Sequence, residues 1–161
     1  MVSRSRASRP TEMTYKKIFL DANILVDLFD TQRGSHAESK KIYKYLYAND
    51  IPAFTSCDIA TTVYYLTTKA TDNTQALEAM EIINHTINII PFGNDELERT
   101  VTLMRAESIY KDFEDTLQYI LALESGCDAV ISNDKRFVSK DLPLYTSKAF
   151  VEKYLLGTLC M

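Results

Sequence analysis

Tryptophan is absent from this chain of 161 residues, and histidine and cysteine are scarce, at two and three. Cys57, Cys127 and Cys160 stand far apart, with no C-x-x-C pair and no histidine beside them, so neither a zinc site nor a disulfide framework can be read. They read as reduced, mostly buried thiols of a cytoplasmic protein. His36 and His85 occur singly, which leaves no histidine-based catalytic pair, and both are expected at the surface. Long hydrophobic runs are missing too: stretches such as Ile87 to Phe92 fall far short of the roughly 20 apolar residues that span a bilayer, so no membrane segment is expected. The opening MVSRSRASRPTE carries Arg4, Arg6 and Arg9 but no apolar core of a secretory signal. It reads as a disordered leader or tag-like remnant over residues 1–14, with Met13 a second possible start.

What is present is a hydrophobic fraction of 46%, enough for one domain to bury a core without disulfides or structural metal. The overall charge is −4, and from residue 13 onward 15 basic residues face 21 acidic ones, a net charge of −6. Such a balance argues against tight non-specific binding of nucleic acid, while leaving room for a local basic strip and for a basic protein partner.

Short apolar runs alternate with longer amphipathic stretches, without repeats or linkers, the pattern of a layered α/β domain. The first strand is Lys17 to Asp21, apolar along its length as a strand covered on both faces of a parallel sheet must be. Helical spacing follows through Ile24, Leu25, Leu28 and Phe29, then from Ser35 to Ala48 after a break at Gly34. Strands are predicted at Ile51 to Phe54, Ile87 to Pro91, Asp128 to Ile131 and Pro143 to Tyr145. Helices are predicted from Ser56 to about Lys69, from Asp72 or Asn73, from Asn94 or Asp95, from Phe113 to Glu124 with Gly126 ending it, and from Ser147 to Leu156. In the helix after Asp112, the expected buried stripe is Phe113, Leu117, Ile120 and Leu121.

Functional groups of open parallel sheets gather beyond the carboxyl ends of the strands. Asp21 stands there after the first strand and Asp134 after the fourth, while Asp112, Glu114 and Asp115 open the helix before that fourth strand. Glu114 is expected to point away and to favour the positive helix terminus. Carboxylates crowded together raise one another's pKa unless a cation joins them, and their hard oxygens select magnesium or manganese.

The run Ile18-Phe19-Leu20-Asp21-Ala22-Asn23-Ile24-Leu25-Val26-Asp27 resembles the first motif of PIN domains, the nuclease fold of VapC toxins. Asp112-Phe113-Glu114-Asp115-Thr116-Leu117-Gln118 resembles their third motif, and Cys127 to Phe137 their fourth, in order and over about 125 residues. The resemblance implies a three-layer α/β/α sandwich around a mainly parallel sheet of about five strands, occupying residues 15–157. It implies a metal-dependent ribonuclease of the toxin–antitoxin kind, binding Mg2+ or Mn2+, with a small antitoxin and a homodimer as partners. Asp21, Asp115 and Asp134 become the metal-binding carboxylates, Asp112 an auxiliary acid, and Asn23 and Ser132 supports for the cluster. One position departs: where the family's second motif carries glutamate, this chain has Thr62, a neutral hydroxyl. Asp112 could replace the missing charge, or one metal could be bound in place of two.

Lys135 and Arg136 beside Asp134 could grip a substrate phosphate, and Arg33, Lys40, Lys41 and Lys44 could extend a basic edge, although the helix lysines read better as a solvated surface. Tyr43, Tyr45, Tyr47, Tyr64 and Tyr65 could stack on bases, but their helical spacing suits packing against a helix or a second subunit. A haloacid-dehalogenase-like phosphatase would need an aspartate where Asn23 stands. The other reading is a PIN-fold RNA- or protein-binding module that has lost turnover with the missing glutamate.

Overall fold

Strands and helices alternate through residues 12–156, the part that this computed structural model describes. The expectations for residues 1–11 and for Cys160 lie outside the described residues. β1 (Ile18–Leu20), β2 (Ala53–Ser56), β3 (Ile87–Ile90), β4 (Ala129–Ile131) and β5 (Leu144–Tyr145) form one sheet in the order β3-β2-β1-β4-β5. Every neighbouring pair is parallel. All residues of β1 and β4 are buried, as both-face coverage requires.

The helices are α1 (Ala22–Phe29), α2 (His36–Ala48), α3 (Cys57–Ala70), α4 (Asn73–Thr86), α5 (Asn94–Ala106), α6 (Phe113–Glu124) and the short α7 (Ser147–Phe150). Helices α1 to α4 lie in two crossovers that advance in one direction along the sheet. Helices α5 and α6 lie in the crossover that returns past β1 to β4. Right-handed connections therefore put the two groups on opposite faces, giving the α/β/α layering. α6 packs on both β2 and β4, over β1, and α5 packs on α6.

Local chemistry starts these helices where they start. Asp21, Ser56, Asp72, Asp112 and Thr146 each accept a backbone N–H of the helix they precede. α6 ends at Ser125, and Gly126 takes φ +74°, the left-handed conformation that closes a helix and disfavours any side chain.

Three local expectations are corrected. β2 begins at Ala53 instead of Ile51, because the Ile51 N–H still donates to the Leu46 carbonyl (2.9 Å) in closing α2. Phe113 is 42% exposed at the start of α6, so the buried stripe reduces to Leu117, Ile120 and Leu121 with their neighbours. The last helix is α-helical for one turn only and widens into a π-helical segment, Val151–Leu155, in which Val151, Tyr154 and Leu155 are buried.

Candidate active site

The order of the sheet reverses between β1 and β4, and the carboxyl ends of these two strands lie side by side. Open α/β sheets bind ligands at such a switch point. Asp21 leaves β1 there, its N–H donating to the Ile131 carbonyl (3.1 Å). Its carboxylate is only 6% exposed yet well supplied with donors. Oδ1 accepts from the Ala22 N–H (2.8 Å), and Oδ2 accepts from the Ser132 hydroxyl (2.6 Å) and the Asn23 amide (3.1 Å). Ser132 Oγ in turn accepts from the Asp134 N–H (3.1 Å), tying the loop after β4 to Asp21. Asn23 and Ser132 thus sit beside Asp21 and donate to its carboxylate. Burial raises the Asp21 carboxyl above its ordinary value, these hydrogen bonds oppose the rise, and the negative charge of Asp134 adds to it.

The acids of α6 are held differently. Asp112 is exposed and caps the helix, its Oδ1 accepting from the Asp115 N–H (2.9 Å). Asp115 is half-buried, and its carboxylate accepts no hydrogen bond from a described residue. Burial first, then repulsion from Asp21, Asp112, Asp134 and Glu114, pushes it up to about 7. Glu114 is exposed, and desolvation followed by the charges of Asp58, Asp21 and Asp112 holds its carboxyl up. Asp134 is the opposite case. The Arg136 N–H donates to its Oδ1 (2.9 Å), which lowers its carboxyl, with the guanidinium 3.4 Å away. Lys135 is exposed beside it.

Three polar residues behind these acids were not singled out by the motifs. Asp58, in the first turn of α3, accepts from the Ser56 hydroxyl and from Gln118 Nε2 (2.8 Å). Gln118 is 1% exposed and its Oε1 has no hydrogen-bond partner. Thr62 lies one helical turn beyond Asp58, so the carboxylate that α3 offers is displaced by a turn toward the helix start. Asp27 is 3% exposed, and its carboxylate pairs with Arg33 and accepts from Asn133 Nδ2 (3.2 Å). His36 is half-buried, not a free surface residue: its Nδ1 lies 2.8 Å from the Asp27 carbonyl oxygen. The signal for Asp58 was in the chain, four residues before Thr62 on one helix face. The Cys127 thiol is buried, which pushes it up to about 12, and Cys57 is partly buried; both are free.

The tyrosine expectation divides. Tyr43 stacks on Tyr47 and donates to Thr86 (2.9 Å), while Tyr47 and Tyr65 remain exposed.

Among the described residues, no three histidines, cysteines or carboxylates lie close enough together to hold one metal ion as they stand. In donor chemistry the set fits a hard divalent cation, since all its groups are carboxylate oxygens and the Asp115 carboxylate accepts no hydrogen bond from a described residue. Asp134 is engaged by the exposed Arg136 side chain.

The family model for the PIN domain matches residues 17–136. The chain belongs to the PIN-domain family. Within it, this PIN domain is 41% identical over 142 residues to Ribonuclease VapC1 of Aquifex aeolicus (strain VF5), covering 88% of this chain and 98% of that relative. Among solved structures it resembles Mycobacterium tuberculosis VapC20, described as a sarcin–ricin loop cleaving toxin, with TM-score 0.60 and 19% identity over 74% of this chain and 92% of the other. VapBC2 of Rickettsia felis, bound to a DNA fragment from its promoter, gives TM-score 0.61 and 17% identity over 81% and 98%. A toxin–antitoxin complex from Klebsiella pneumoniae gives 0.60 and 21% over 81% and 97%. At these identities the solved structures speak for the fold.

Proposed function

We propose that this PIN domain is a divalent-metal-dependent endoribonuclease and the toxin of a VapBC-type toxin–antitoxin pair. The observation that carries the reading is Asp115, a carboxylate without donors, pushed up to about 7 across the sheet's switch point from Asp21. Negative charge is gathered there with the exposed Arg136 as its neighbouring cation, and the 41% identity to a ribonuclease supports the same reaction.

In this reading Asp21, Asp115 and Asp134 hold Mg2+ or Mn2+, and Asp112 is an auxiliary acid. When bound, such an ion lowers the pKa of an attacking water and offsets charge on the departing oxygen. The chain's own part is orientation. Ser132 and Asn23 fix the Asp21 carboxylate, Asp112 fixes the first turn of α6, and Arg136 and Lys135 grip the substrate phosphate. Attack by water with departure of the 3′ oxygen leaves a 3′-hydroxyl and a 5′-phosphate. Asp58 supplies, one turn earlier on α3, the negative charge that Thr62 lacks. The net charge of −4 suits a small basic antitoxin, and the exposed apolar residues Tyr65, Leu77 and Ile82 of α3 and α4 suit a homodimer.

The test is cleavage of a panel of labelled RNAs with manganese, magnesium or chelator, comparing wild type with Asp21→Asn. Metal-dependent cleavage lost in the variant is the expected result. RNA binding that needs no metal, with no cleavage at high enzyme concentration, would instead favour the binding-module reading, to which Thr62 and the Arg136–Asp134 pair lend weight. Metal stoichiometry by calorimetry in wild type, Asp58→Asn and Asp112→Ala checks the compensation; unchanged binding in both variants would remove it.

A further inference from the structure

Next to the acidic cluster lies a cavity of about 510 Å3 that the sheet's carboxyl edge shares with the loop between α1 and α2. Asn23, Asp134 and Arg136 line it together with Arg33, Gly34 and Ser35. The volume falls in the range of clefts that hold small ligands or one residue of a polymer.

Arg33 differs from the other basic residues near α2. Lys40, Lys41 and Lys44 project from the helix with no acidic partner among the described residues. Arg33 is anchored: its Nε donates to the buried Asp27 carboxylate, whose other oxygen accepts from Asn133 Nδ2 (3.2 Å). Asn133 is itself fixed by donation of its N–H to Asn23 Oδ1 (2.8 Å), beside Asp21. No described residue accepts from the terminal nitrogens of Arg33. Its side chain is 41% exposed, and the free end of a planar donor fork is the geometry that takes two phosphate oxygens at once.

We infer that Arg33, set by Asp27 and Asn133, is a positioning residue that binds a backbone phosphate of the RNA strand adjacent to the scissile one, in the cavity it shares with Asp134 and Arg136. This rests on the nuclease reading above. A buried carboxylate that holds one edge of the guanidinium leaves the other edge preorganised, so little side-chain entropy is lost when a phosphate arrives. The acidic cluster repels polyanions, and an anchor one nucleotide away offsets that repulsion without placing a cationic side chain among the metal-binding carboxylates.

The experiment uses an RNA whose cleavage position has been mapped with wild-type enzyme. Failure to find any metal-dependent cleavage would strike the nuclease reading itself and is thus told apart from failure here. Steady-state kinetics are compared for wild type, Arg33→Ala, Arg33→Lys and Lys69→Ala, the last removing a charge from the far end of α3. Arg33→Ala is expected to raise KM by about tenfold, the scale of one charge-assisted contact, with a smaller fall in kcat. Binding to the RNA with Asp21→Asn as background should lose about 0.7 from the slope of log affinity against log salt, as for one single-strand phosphate contact. Arg33→Lys should recover the slope but only part of the KM, and Lys69→Ala should change neither. The decisive comparison replaces single flanking phosphates by neutral methylphosphonates. One such replacement should cost wild type what Arg33→Ala costs, and cost Arg33→Ala nothing further. If all replacements weaken both proteins equally, or if Arg33→Ala lowers melting temperature and kcat with KM and salt slope unchanged, Arg33 is only the partner of Asp27 and the inference is overturned.

Discussion

The two sides of the acidic edge are built on different principles. On the sheet side Asp21 is almost inaccessible and takes three hydrogen bonds, two of them from Ser132 and Asn23, which are locked to each other across β1 and β4. On the helix side Asp115 stands on the first turn of α6 with no donor to its carboxylate, and it is the group whose proton is held to about 7. The sheet therefore supplies position and α6 supplies unbalanced charge. A cation has little to reorganise at Asp21 and most to neutralise at Asp115.

That contrast can be broken most severely at Asp21. Asp21→Asn is expected to cost activity well beyond the roughly 10–100-fold that follows loss of a partner behind a metal ligand, measured as kcat/KM in manganese. Ser132→Ala should fall inside that range, because Asp21 keeps its ligand atoms and loses the hydroxyl that orients Oδ2; a loss as large as that of Asp21→Asn would mean that Ser132 does more than orient.

pH sharpens the helix side. Asp115 binds its proton more tightly folded than unfolded, so protonation favours the folded state. The metal-free protein should lose stability as pH rises from the ordinary carboxylate range toward 7, and no more from this group above it. Asp134, with its carboxyl lowered, acts in the other direction and loses its contribution on acidification. Added magnesium should raise the melting temperature little at pH 5 and most above pH 7, and a magnesium shift independent of pH would sink the assignment of Asp115.

The smallest effect is expected from Asp112→Ala, which removes a helix cap worth ~1 kcal/mol. It also removes one of the charges that hold Asp115 up, so the stability loss should be accompanied by a downward move of the Asp115 titration, observable by carbon-detected NMR.

The layering and the acids of the site were legible because they leave periodic or positional traces: buried strands read as apolar runs, and Asp21, Asp112 and Asp134 stand at element boundaries. Asp58 left a trace that goes unread without its partner Gln118, 60 residues away, and Asp27 left none, since its importance comes from Asn133, 106 residues away. Phe113 fitted the helical period of its neighbours but lies in the first turn, before α6 has reached the sheet. The π-helical widening at Val151–Leu155 has no signature in hydrophobic spacing, since the buried Val151, Tyr154 and Leu155 are spaced as they would be on one face of an α-helix.

Asn133 carries a consequence for the far end of the chain. Its side-chain oxygen accepts from both the N–H (2.8 Å) and the hydroxyl (3.1 Å) of Ser147, the first residue of α7, while its backbone N–H reaches Asn23 beside Asp21. One residue thus splices the closing helix to the opening motif. Tension on α7, whether from truncation, a fused domain or a bound protein, has a three-residue path to the buried carboxylate of Asp21.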